Sequence, residues 1–498
     1  MMDKPLFALT NLLCPAGLVL LLLGLWSPGL RAQSAADALR YGQIRVLGTA
    51  RHMGAGGAMG ALGADFSVIA TNPAGIATIR RSDFSITPAL QFRTTESRLT
   101  NDPAGPVNRE TESMFALESA GAVFVIKPRS YRWPNINIGL GVVRLADFNQ
   151  RFFFDGVSQG SIVDRFQDQA NAGIFSDFES NLAIDAEALF QLQGDDFWFS
   201  DFFDAPGALV GKTQDVRRSG SINEIEFNVA ANYDEKLFFG ATIGLPILQF
   251  EQQKIYREFN DFGEVPNFEF LEFTEGLETN GVGVNLKLGL VYRVVQAVRL
   301  GFAFHTPTRY RLEDRFINDL LYEFTLEETG EFFSNLELSP EGFFEYTLST
   351  PWRIIGSAGV LIGKYGFLSA ELEYLDFANS RFRFNGFPQD EAAANETVAL
   401  ELDKALALRF GGEAALGRFR LRGGLGVIPT GTLADGGTNL SWSAGLGYRA
   451  KSFFLDAAYR QFDAENEYRP YLVSRDTEPV VNNQLSTRNI ALTAGFKF

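Results

Sequence analysis

Along the C-terminal segment, Ile490, Leu492, Ala494, Phe496 and Phe498 fall on one face of an extended chain, and Ala491, Thr493, Gly495 and Lys497 on the other. The same period of two recurs at 440–449, where Leu440, Trp442, Ala444, Leu446 and Tyr448 oppose Ser441, Ser443, Gly445, Gly447 and Arg449. At 282–293, Val282, Val284, Leu286, Leu288, Leu290 and Tyr292 oppose Gly283, Asn285, Lys287, Gly289 and Arg293. Successive side chains of a strand point to opposite faces, so each run predicts a strand with one apolar and one polar face. Fourteen segments read this way: 84–93, 118–127, 135–147, 222–233, 236–250, 280–293, 297–308, 351–362, 365–378, 402–414, 418–428, 439–450, 452–462 and 488–498.

The connections decide which face is buried. Short gaps (128–134, 234–235, 294–296, 363–364, 415–417 and Lys451) alternate with long ones (94–117, 148–221, 251–279, 309–350, 379–401, 429–438 and 463–487). That alternation is what an up-and-down barrel gives when one rim carries tight turns and the other carries loops. A Greek-key sandwich has no reason to sort its gaps. The expected fold class is therefore all-β, a transmembrane antiparallel barrel of fourteen strands, with the domain 84–498 carrying large outer loops at 148–221 and 309–350.

The N-terminus fits export. Lys4 is followed by an apolar stretch from Leu12 to Trp26, then Pro28, Gly29 and the small residue Ala32, so 1–32 reads as a signal peptide cleaved near Ala32. The stretch is short for a spanning helix, which needs about 20 residues. Removal takes Cys14, the single cysteine, and so excludes disulfides and thiolate chemistry from the mature chain. The net charge of −16 argues against nucleic acid, which needs clustered Lys and Arg. The expected location is the bacterial outer membrane, with the terminal Phe498 addressing the chain to the barrel assembly machinery.

Residues 33–83 precede the first strand and read as a periplasmic or lumenal hatch. They are rich in Gly, Ala, Met and Leu, which suits a compact plug more than a solvated linker. Gly54 and Gly56 lack the third glycine of a dinucleotide fingerprint, because Met59 stands there. The pattern Ala50-Arg51-x-Met53-Gly54-x-Gly56-Gly57-Ala58, then Asp65-x-Ser67, then Asn72-Pro73-Ala74-Gly75 resembles the N-terminal hatch of FadL/TodX hydrophobic-compound transporters. The likeness is nearest to the branch found in Bacteroidetes-like bacteria. It implies a barrel plugged by a hatch, with apolar substrates captured in the outer loops. It also implies a kink in the third strand that opens a lateral exit. The hatch motif maps to Asn72, Pro73 and Ala74, and the candidate kink residues in 135–147 are Gly139 and Gly141.

The chain has 47 Phe, and the loop 148–221 concentrates them. Phe152, Phe153, Phe154, Leu189, Phe190, Phe197 and Trp198 are candidates for apolar substrate contact, with 180–193 read as a short amphipathic helix. The alternative is that these aromatics form a private core over the barrel mouth. Polar faces of the strands place Lys287, Arg299, Glu371, Glu373, Arg409, Glu413, Arg420, Arg422, Arg449, Asp456, Arg460 and Lys497 in the lumen. Mixed charges of this kind pair with one another and with a plug, while Arg420 or Arg422 could meet a carboxylate headgroup. The two histidines, His52 and His305, have no motif around them, so neither catalysis nor a metal or other cofactor is expected. The expected function is passive uptake of hydrophobic molecules, long-chain fatty acids or similar compounds, by a monomer in contact with outer-membrane lipid. Hatch movement and lateral exit would complete the path. Two rivals are a PorV-type docking or secretion partner and a general polar porin.

Overall fold

The computed structural model describes residues 35–433, 437–474 and 477–498. The expected signal peptide, 1–32, lies outside them. Fourteen antiparallel strands close into one barrel: β1 (Asp83–Leu99), β2 (Asn108–Ile126), β3 (Asn135–Asp147), β4 (Leu209–Tyr233), β5 (Leu237–Phe259), β6 (Phe268–Arg293), β7 (Val298–His305), β8 (Arg353–Leu361), β9 (Gly366–Asp376), β10 (Lys404–Leu416), β11 (Phe419–Pro429), β12 (Thr438–Arg449), β13 (Phe453–Tyr468) and β14 (Val481–Lys497). The seam pairs β1 with β14, from Asp83↔Lys497 to Leu99↔Val481.

The outside of the ring is apolar and the inside polar. Leu372 of β9 is 42% exposed between Glu371 at 2% and Glu373 at 3%; in β14, Leu492 is 57% exposed beside Thr493 at 2%. A soluble sandwich would invert this pattern, and lipid accounts for it. Rings gather at the rim of tight turns: Trp133 against Tyr233 at 5.0 Å, Phe419 against Tyr448 at 5.5 Å and Phe124 against the terminal Phe498 at 6.2 Å. Amphipathic rings settle at a membrane–water boundary.

All fourteen expected strands are present, but several run further outward than the sequence suggested. β1 and β2 continue to a turn at 100–107, where a loop of 94–117 was expected. Beyond the lipid the ladder no longer requires an apolar outer face, so Thr94, Glu96 and Arg98 take those positions. Past β7 the chain turns at Thr306-Pro307-Thr308 and resumes as Arg309–Thr325, still paired with β6 from Arg309↔Val284 onward.

The outer loops also carry helices. Besides α1 (Ala35–Gly42) and α2 (Ala50–Gly54) in the N-terminal segment, there are α3 (Ile162–Asn171), α4 (Ser180–Asp185) and α5 (Pro388–Glu401). The amphipathic helix expected over 180–193 stops after α4, because Glu187 adopts a left-handed conformation with φ 62°. The chain then leaves for a short pairing of Phe190–Gln191 with Trp198–Phe199.

Candidate functional site

Each part of the N-terminal motif is a capping device. Thr49 caps α2 by accepting the His52 amide at 3.1 Å, and its hydroxyl donates to Asp65 at 2.8 Å. Asp65 caps the 3-10 turn Phe66–Ala70 by accepting the Ser67 amide at 2.9 Å. Asn72 caps the next turn, Pro73–Thr78, accepting the Ala74 amide at 3.2 Å with Pro73 in the first turn. Caps at these positions satisfy amides that short helices leave without partners, which matters inside a barrel where water is scarce. Gly63, at φ +66°, has no room for a Cβ, which would lie 2.2 Å from the Gly75 carbonyl oxygen.

The barrel wall receives this hatch closely. Asn72 Nδ2 donates to the Gly60 carbonyl at 2.9 Å and to Leu290 of β6 at 3.2 Å. Asn137 donates to Ile79 at 2.9 Å, Asn135 to Ala77 at 2.9 Å, Arg299 to Leu62 at 2.9 Å and His305 to Thr71 at 2.7 Å. Burial alone would raise the Asp65 carboxyl. Arg51, His52, the Thr49 hydroxyl and the Ser67 amide outweigh it and hold Asp65 below the ordinary value. Burial lowers His52 to about 4, opposed by Asp65 and reinforced by Arg409, Arg460 and Arg51. His52 is thus a neutral packing residue.

Gly139 and Gly141, the candidate kink positions, lie in regular ladder pairs with Val123 and Gly121. Their missing side chains make room for the hatch: a Cβ on Gly141 would meet the Phe66 ring at 2.5 Å, and one on Gly139 would meet Ile76 at 3.0 Å. The irregularity in β3 comes later, between Arg144 and Ala146. Asp147 accepts the Asn149 amide at 3.1 Å and Arg144 at 2.8 Å, closing a tight turn. Phe148 then donates to Gly220, whose φ of +113° permits the bend. Past it, Gln150–Gln159 follows the outer half of β4, from Gln150↔Arg218.

At this bend the β2–β3 ladder ends. The last rung between β2 and β3 is Ser119↔Val143, and above it the outer half of β2 pairs with β1 alone among the described residues. Side chains tie the strands again further out, through Arg151 and Glu110 at 3.5 Å and Asn108 and Asp155 at 2.8 Å. Between rung and tie lies a cavity of about 220 Å³ lined by Gln91, Arg93, Glu112, Ser113, Met114 and Asn149. On its inner side Arg93 bonds the Asn149 carbonyl and lies 3.5 Å from Asp147.

Among solved structures, a Pseudomonas aeruginosa FadL homologue matches over 92% of this chain and 100% of its own, with a TM-score of 0.55 and 13% identity. The P. putida toluene transporter TodX matches over 91% and 99%, with a TM-score of 0.51 and 12% identity. The chain shares the fold of these barrels. No family description matches the sequence, and no characterised relative is found by sequence.

The lumen of this barrel is a mesh of ion pairs. Arg409 bridges Glu371, at 3.0 Å, and Glu373, which also holds Arg353; Lys287 bonds Glu224 and Glu226. Glu371 in turn accepts the hatch amide of Gly60 at 3.1 Å. Arg422, a headgroup candidate, is held by Glu413 and Asp456, each at 2.7 Å. Arg420 bonds the carbonyls of Gly417 and Phe419 at a tight turn, on the rim away from the outer loops. The structure therefore places both candidates among partners of their own.

The aromatic candidates separate into two groups. Phe154 and Leu189 belong to a buried outer core with Phe166, Phe202, Phe268 and Tyr322, while buried Phe152 packs on Tyr468 at 5.0 Å. Phe153 is half-buried and Trp198 rests on that core's edge. Phe190 and Phe197 are exposed, and with Phe199 and Phe203 they form a surface patch with ring separations from 4.9 to 6.5 Å. One element escaped sequence reasoning altogether. Helix α1 lies inside the outer lumen, with Tyr41 against Phe148 at 5.9 Å and Phe250 at 6.0 Å. The three-residue spacing of Ala35, Ala38 and Tyr41 was the available signal.

Proposed function

We propose that this barrel takes up hydrophobic molecules across the outer membrane. The opening between β2 and β3, above a hatch that fills the lumen, carries the reading. An apolar molecule first meets the exposed rings around Phe190 and Phe197. Transfer from water onto apolar surface is worth about 0.8 kcal/mol per buried methylene, so capture needs no directed hydrogen bonds. The molecule then displaces α1 from its apolar seat beside Phe148 and Phe250, and leaves sideways once Arg93 releases Asn149. Lipid-facing Phe115 and Leu117 on β2 receive it outside. Toluene is the cargo named for TodX, and an apolar cargo is what this path suits.

The test is uptake of radiolabelled dodecanoate by cells expressing the barrel, with Ser113→Trp and Asn149→Trp narrowing the opening. Uptake should fall at least tenfold in both while the folded barrel still runs as a heat-modifiable band. Uptake undiminished in both variants would overturn lateral exit. Uptake no higher than in cells without the barrel would overturn the transport reading itself.

A further inference from the structure

Past the turn at Thr306-Pro307-Thr308 the chain runs outward as Arg309–Thr325, with Gly342–Ser349 paired beside it and Arg381–Phe384 paired beside that. The inner face of these three strands is apolar: Tyr310, Leu312, Leu348, Phe382 and Phe384 are buried in the core. The outer face carries arginine. Arg309 and Arg381 flank Ser349 in one row, and Arg311 and Arg383 flank Thr347 in the next. All four arginines are exposed. Neighbouring strands lie about 4.8 Å apart and alternate residues about 6.8 Å, so the four positions outline a rectangle of roughly 10 by 7 Å. None of the four has an ion pair within 4 Å among the described residues, in a chain of net charge −16. Arg309, Arg311 and Arg383 have no side-chain hydrogen bond there either, and Arg381 uses one nitrogen on the carbonyls of Ala378 and Ser380, each at 2.7 Å. In the next row outward Glu313 stands opposite Glu345, and Glu313 is held by Arg315 at 2.9 Å. Four like charges with no counter-ion repel one another, so the fold alone gives no reason to gather them.

The register gives the depth of this cluster. Arg309 pairs with Val284 and Arg311 with Val282, which are 50% and 59% exposed on the lipid-facing side of β6. Residues directly opposite in an antiparallel pair share a face. The rings of Trp352 and Tyr374, 5.6 Å apart, come shortly after Ser349 and shortly before Arg381 in the chain, and such rings settle at a membrane–water boundary. The arginines therefore stand where the lipid-facing wall ends, at the level of headgroups. A guanidinium grips a phosphate through two N–H groups at once and gives up water more readily than an ammonium. We propose that Arg309, Arg311, Arg381 and Arg383 bind the phosphates of a phosphorylated glycolipid in the outer leaflet, with its acyl chains along Val282, Val284 and Leu286. A lone phosphodiester reaches one side of the rectangle. A headgroup with two phosphates spread across a saccharide reaches both. The site is on the outside of the barrel, apart from the lumen, and does not rest on the uptake reading.

The test titrates the purified full-length barrel, stripped of lipid in mild detergent, with diphosphoryl lipid A and with phosphatidylglycerol, and reads bound lipid by native mass spectrometry. Wild type should bind one lipid A at least tenfold more tightly than phosphatidylglycerol. In the double variants Arg309→Gln with Arg383→Gln, and Arg311→Gln with Arg381→Gln, that preference should fall to within about twofold. The first pair holds no other group, so it remains the test if loss of the Arg381 bonds disturbs folding. Arg217→Gln, which removes an exposed arginine of β4, should bind as wild type does. No bound lipid A, equal binding of phosphatidylglycerol, or a preference that survives in the double variants would overturn the site. So would an equal loss in Arg217→Gln, since net charge alone would then explain the binding.

Discussion

Asn72 is fully buried and joins three partners, so Asn72→Ala tests how the hatch is held. The substitution removes a helix cap, worth about 1 kcal/mol. It also strands the Gly60 carbonyl, which accepted Nδ2 at 2.9 Å, at about 1–3 kcal/mol for an unsatisfied buried group. Leu290 sits in the ladder and loses less. The docked hatch should thus weaken by about 2–4 kcal/mol, which raises the undocked population by roughly 30- to 700-fold at 1.4 kcal/mol per factor of ten. Amide exchange in the purified barrel reads this directly. The amides of Thr71, Gly75 and Ile79, each bonded within the hatch, should lose protection by that factor while β1 and β14 keep theirs. Hatch protection unchanged within threefold would refute the argument, as would equal loss across the barrel strands, since the hatch would then not open as a unit.

Three further outcomes follow from the same geometry. Phe154→Ala should cost the outer core about 3–5 kcal/mol, exposing 160–205 to protease while heat-modifiable migration of the barrel is unchanged. Arg422→Met breaks a buried pair and should lower the unfolding temperature of the purified barrel by an amount equivalent to about 3–5 kcal/mol. His52 is neutral when docked because its value is lowered from 6.5 to about 4, so an undocked hatch binds the proton first. Docking should accordingly weaken as pH falls from 6.5 to 4, by up to about 3 kcal/mol, and His52→Gln should abolish that slope in exchange corrected for intrinsic rates.

The strands were legible because lipid enforces an apolar outer face with period two, and the tight turns fix where each strand begins. Their outer ends were not, because past the lipid Glu251, Gln253 and Lys254 continue β5 with no apolar signal. The hatch motif was legible because caps are local: Asp65-x-Ser67 and Asn72-Pro73 are written within a few residues. That the lumenal charges pair was expected, but which residue meets which is a property of register and was not assigned. Yet the turn at Gly417 places Leu416 opposite Phe419, which sets Glu413 opposite Arg422, so that partner could have been found by counting back from the hairpin. Arg45 and Arg460 meet over the ring of Phe462 from opposite ends of the chain, and no local pattern announces that contact.

The bend in β3 has a further consequence for the outer half of β2. From Asn108 to Leu117 that strand has a ladder on one side alone among the described residues, so the closed ring of strands has an edge here. An edge of unpaired amides and carbonyls is a template on which a second copy could add its own strand, in the membrane or during assembly. Here the edge carries Arg109, Glu110 and Glu112, and Arg151 leans across to Glu110. Charges at an edge oppose strand addition, so these residues disfavour pairing of the barrel with its neighbours.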